Sequence, residues 1–117
     1  MESMESLESR LDRLEFYFQL LWKNTNLSEK PFYALVIKKE LTKQEVDDVF
    51  AICEELNKTY IEQKAEGFID YVPLLTQFVG MLTPKIAPHE AVDALSKQGL
   101  YKEMMREFSE IIKRIRD

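Results

Sequence analysis

The chain contains one histidine, His89, and one cysteine, Cys53, and this scarcity limits the chemistry it can perform. Nucleophilic hydrolysis needs a Ser, Cys or Thr beside a base, with a third group to orient the base. Cys53 falls at an apolar position of a helical pattern, so a small core residue is the simpler reading than a nucleophile. His89 follows Pro88 and is expected in the first turn of a helix, at the surface or as a cap. Glu90 is its sequence neighbour, but adjacent helical residues do not face one another, so the pair is a poor acid–base dyad. A structural zinc site takes four Cys or His ligands, and a di-iron bundle takes Glu-x-x-His twice; the sequence offers neither. Asp47, Asp48, Glu54 and Glu55 crowd one stretch, yet helical spacing puts them on a polar face, where solvation accounts for them. Gly67, Gly80 and Gly99 stand alone, so there is no phosphate-cradling loop. No catalytic, cofactor-binding or metal-ligating residue is assigned, and no cofactor is expected.

The spacing that does carry information is apolar. Met4, Leu7, Leu11, Leu14, Phe18 and Leu21 recur at alternating intervals of three and four residues, the a and d positions of a heptad. From Met4 to Leu14 every other position is polar, which leaves a narrow stripe suited to one partner surface. From Phe16 onward, Phe16, Tyr17, Leu20 and Trp22 fill the remaining faces, and a helix apolar all round is expected inside a fold. Met4, Leu7, Leu11, Leu14 and Phe18 are assigned as a self-association seam. In a parallel pair the g residue Arg10 approaches the e residue Glu15 of the partner, whereas an antiparallel pair opposes Glu8 to Glu15, so the charges lean parallel.

These stretches require a helical frame. A first helix is expected over 4–24, a short one from Pro31 with Phe32, Leu35 and Val36 on one side, and a long one over 43–66. The long helix opens with Thr42 and Glu45 at capping-box spacing and ends at Gly67. Along it Val46, Val49, Phe50, Cys53, Leu56 and Tyr60 recur at helical spacing. Asp70 and Pro73 open a fourth helix, "LLTQFVGML", whose all-round apolarity makes it central. A fifth runs from Pro88 to before Gly99, and a last from Leu100 to about Arg116. Its apolar positions are Leu100, Met104, Phe108, Ile111, Ile112 and Ile115. Met81, Met104 and Met105 could offer adaptable surface to a small ligand. The expected architecture is an all-α, compact bundle of about six helices with an N-terminal heptad helix. It forms a single domain over 1–117, with 1–15 as a protruding self-association helix.

Bulk composition agrees. The 117 residues are 45% hydrophobic with three glycines and four prolines, enough apolar content for a core and too few turn formers for an all-β fold. A net charge of −5 disfavours phosphate backbones unless a local patch overrides it. One cysteine, no basic-apolar leader and no run of membrane-span length set a cytoplasmic location as the expectation.

The blocks "RLDRLEFYFQLL", "PFYALVIKKELTKQEVDDVFAICEEL" with "QKAEGF", and "HEAVDALSKQGLYKEMM" resemble the YhaI-like family of small uncharacterised Bacillus proteins. The resemblance spans nearly the whole chain. It implies an all-helical, intracellular Firmicute protein and supplies no catalytic residue. The expected function is therefore that of a non-catalytic protein, homodimeric and acting by binding another, unidentified protein. The alternative is a transcription-associated regulator using 88–116 as a helix-turn-helix. Against it, Tyr101, Lys102, Glu103, Arg106 and Glu107 would face the DNA, and two of these are acids. A helical enzyme or small-ligand binder ranks third.

Overall fold

The computed structural model describes residues 5–24 and 26–116. Six α-helices and a 3-10 turn make up the order: α1 (Leu7–Asn24), the turn Leu27–Glu29, α2 (Pro31–Lys38), α3 (Lys43–Ala65), α4 (Val72–Met81), α5 (Pro88–Lys97) and α6 (Lys102–Arg116). No strand occurs among the described residues. This is the all-α bundle with an N-terminal heptad helix that the patterning predicts.

Helix boundaries follow local chemistry. At α3 the Thr42 hydroxyl accepts the Glu45 N–H at 3.1 Å, and the Glu45 carboxylate accepts the Thr42 N–H at 2.8 Å, a complete capping box. Gly67 at φ +91° ends that helix. Asp70 accepts the Val72 N–H at 3.0 Å and so marks the start of α4, one residue earlier than a cap proper. At α5 only half a box forms: Glu90 accepts the Ala87 N–H at 3.2 Å, while Ala87 has no side-chain acceptor to return. Gly99 at φ +82° closes α5, with the Leu100 N–H on the Leu95 carbonyl at 2.9 Å, a Schellman stop. Leu100 and Tyr101 belong to this turn, so α6 begins two residues later than its apolar spacing suggests.

The core lies between α2 and α6. Phe32, Val49, Cys53, Leu56, Leu74, Phe78, Leu95, Met104, Met105 and Phe108 are buried together, and Phe32 packs edge-on to Phe50 with ring centroids 5.5 Å apart. The main contacts run α2 to α5, α5 to α6, α3 to α4 and α4 to α6. Within this frame several expectations need correction. Met105 belongs to the core and Ile115 is exposed, because α6 starts its buried face from Met104 and its last turn runs past the body. Met104 and Met105 are wholly buried, so they line no open site. Helix α4 buries only Leu74, Leu75 and Phe78; Val72, Val79 and Met81 remain exposed because α3 and α6 cover a single side of it.

The largest correction concerns α1. The all-round apolarity of its second half predicts a place inside the fold, yet no residue of α1 is buried. The apolar side of α2 is largely committed to α5, and α1 borders the body only through its last turns, where Phe18 and Trp22 stand beside Ile37 and Trp22 shares a cleft with α2 and α5. The molecule measures 63 × 25 × 22 Å, with a radius of gyration of 18.2 Å, against roughly 13 Å for a compact chain of this length. The two longest helices, α1 with 18 residues and α3 with 23, are about 27 and 35 Å long.

Candidate interaction surface

Nine large apolar side chains stand exposed on α1: Leu7, Leu11, Leu14, Phe16, Tyr17, Phe18, Leu20, Leu21 and Trp22, ranging from 72% for Leu7 to 38% for Trp22. Of the assigned seam, Leu7, Leu11, Leu14 and Phe18 lie along one side of this helix. Met4 lies outside the described residues. Near the body, Phe18, Leu21 and Trp22 border an apolar cleft of about 230 Å³ with Leu27 and Ile37, although Leu21 is still 65% exposed. On the polar side Arg13 holds the carboxylate of Glu5, two residues before the helix, through both oxygens, at 2.5 and 2.6 Å.

Spacing makes α1 visible as a heptad, but sequence alone does not reveal Tyr33 and Ile37. Both are exposed on α2, and Ile37 sits beside Phe18 and Trp22. The only sequence signal is that "FYALVI" is apolar at more positions than one helix face needs.

The residues with reactive groups are not assembled. Cys53 is fully buried, and burial, then the nearby Glu54 charge, push its thiol up to about 12, so it stays protonated and unreactive. His89 is exposed in the first turn of α5. It borders a cleft of about 400 Å³ between α5 and α6 that Ser109, Asp93 and Lys113 also line. No hydrogen bond joins His89 to Ser109 or to a carboxylate among the described residues, so the nucleophile–base contact is not made. Sequence reasoning misses Ser109 because it lies on the next helix, across the turn that ends α5, and no local spacing links it to His89. The described residues contain no group of three or more His, Cys, Asp or Glu able to hold a metal. Asp47, Asp48, Glu54 and Glu55 form the exposed face expected for them.

On the helix pair α5–α6, Lys102 and Arg106 of α6 are exposed. One side of α6 is core, and its outward groups are partly engaged. Glu103 pairs with Lys64 at 2.7 Å, which holds its carboxyl below the usual range. Tyr101 is not on the helix at all: it has φ +50° and donates its phenol to Glu54 at 2.8 Å. No helix among the described residues is long and apolar enough to cross a membrane.

The α1 stripe, the central helices and most of α6 all fall within residues 4–113, which match the family model described as "Protein of unknown function (DUF1878)", and the chain therefore belongs to that family.

Proposed function

We propose that this is a non-catalytic cytoplasmic protein that self-associates through α1, as a homodimer, and acts through protein–protein contacts. The observation that carries this reading is the apolar surface of α1. A fully buried aromatic side chain hides about 150–250 Å². At roughly half exposure the four aromatics of α1 leave on the order of 400 Å² uncovered, and the leucines add a similar area. Phe16 and Leu20 lie on the side of the helix away from the seam, so the area that can meet one partner is smaller, on the order of 600 Å², against the ~800 Å² one partner contributes to a standard interface. It stands at the upper end of the largest apolar patch usual on a monomer, about 300–600 Å². Buried Cys53 and the unpaired geometry at His89 support the non-catalytic part. Kinship with YhaI-like Bacillus proteins belongs to the same proposal.

Sedimentation of the purified chain tests it. A mass of at least two 13.8 kDa chains at micromolar concentration is expected, and a monomer throughout overturns the reading. A gel shift addresses the regulator alternative. Sub-micromolar binding of a defined DNA at physiological salt, abolished by Lys102→Glu with Arg106→Glu, would put that alternative first.

A further inference from the structure

We propose that α1 pairs in parallel and in register with α1 of a second copy, so that both bodies sit at the same end of the pair. The proposal rests on the self-association reading and assigns its geometry.

Two charges point to it. Arg10 and Glu15 are exposed, and neither forms an ion pair among the described residues. Their own helix offers them none. The neighbours three and four positions from Arg10 are Ser6, Leu7, Arg13 and Leu14; those of Glu15 are Leu11, Asp12, Phe18 and Gln19. Arg13, by contrast, is already held by Glu5. In a parallel pair, position g of one helix meets position e of the next heptad on the other. Arg10 then meets the Glu15 of the second copy, twice by symmetry. An antiparallel pair sets Glu8 against Glu15, also twice, and brings like charges together. One heptad nearer the body, the same g-to-e step joins Tyr17 to Trp22, an aromatic contact in place of a charged one.

The gradient of apolarity along α1 is a second, independent argument. All off-seam apolar residues lie in the half nearer the body, from Phe16 to Trp22. In a parallel pair that half is the crowded one. Its own Ile37 flanks the e side, and a two-fold axis along the pair brings the partner's α2 face, exposed at Tyr33 and Ile37, toward the g side. In an antiparallel pair the partner's body would instead stand over Glu8, Ser9, Arg10 and Asp12, a surface with nothing apolar to offer it.

Cysteine cross-linking decides between the two. Cys53 is fully buried, so the wild-type chain serves as the blank. Leu7→Cys and Leu21→Cys are each oxidised and run on a non-reducing denaturing gel, alone and mixed, with one variant carrying a size tag. The expected result is a two-chain band for each variant alone, its introduced thiol joined to the same position of the second copy, and no mixed band. A mixed band overturns the parallel assignment and leaves self-association standing. So does the absence of any band from variants that sediment as dimers. Variants and wild type that all sediment as single chains overturn the self-association reading itself, and the parallel assignment falls with it.

Discussion

The side-chain oxygen of Gln98 accepts the backbone N–H of Phe32 at 2.8 Å and that of Tyr33 at 3.3 Å. The C-cap residue of α5 thus caps the start of α2, sixty-six positions away. Lys30, the local cap position, contributes no side-chain bond. Gln98→Leu would leave two amide donors at the start of α2 unsatisfied. A loss of about 1–2 kcal/mol is expected, read as a fall in Tm of several degrees. Gln98→Glu keeps the acceptor and should keep most of the stability.

Leu11→Asp should abolish self-association while preserving helical dichroism and the unfolding midpoint of the body. Phe18→Asp should behave in the same way. Sequence patterning alone predicts that it unfolds the domain, but Phe18 is 44% exposed and no core residue depends on it. Phe108→Ala, at a wholly buried site, supplies the contrast, with about 3–5 kcal/mol lost. Paired sedimentation and dichroism on the three variants check this; unfolding by Phe18→Asp would mean that α1 stabilises the body.

The Cys53 thiol should resist a disulfide-exchange reagent in the native protein and react at once in denaturant. Its protonated state, held by burial, and its lack of exposure both act in this direction. Labelling rates followed against denaturant concentration would report opening of the α3 region, and rapid native labelling would contradict the buried placement.

Stability should fall on the acid side. Glu45 is held below its ordinary range first by the Lys85 bond and then by the Thr42 N–H. Glu90 is lowered chiefly by the Ala87 N–H, and Glu103 by Lys64. A depressed folded-state pKa gives stability that is present above the unfolded value and lost as pH drops through the folded one. The loss should therefore begin below about pH 4.5. Glu45→Gln with Glu90→Gln should flatten the decline in a urea-midpoint titration against pH.

Glu40→Gly should stabilise the chain. Glu40 holds φ +56° after α2, a left-handed conformation costing a residue with a Cβ about 1 kcal/mol. Its side chain is exposed, and it accepts the Lys85 ammonium through its backbone carbonyl, which glycine keeps. A raised Tm is the expected reading, and an unchanged or lowered one would show that the Glu40 side chain contributes more than its backbone costs.

Much of the chain is legible from residue order because its signals are local. Thr42 with Glu45, Gly67, Pro88 and Gly99 set helix ends through bonds between near neighbours in the chain, and the spacing of Val49, Cys53, Leu56 and Tyr60 puts one face of α3 inward wherever the helix packs. The heptad of Leu7, Leu11 and Leu14 is equally plain. What periodicity does not supply is which apolar surfaces find a partner within the chain. Phe16 to Trp22 and the residues of α4 have the same all-round apolarity, yet one side of α4 is buried in the core, whereas α1 only borders α2 near Ile37 and buries no residue. The eight-residue α2 spends its apolar side on α5, and the number of neighbours available to a helix is fixed only when all the helices are placed. The capping of α2 by Gln98 and the meeting of His89 with Ser109 across one cleft are decided at the same level, since a hydrogen bond or a cavity wall depends on distance in space and leaves no periodic trace in the sequence.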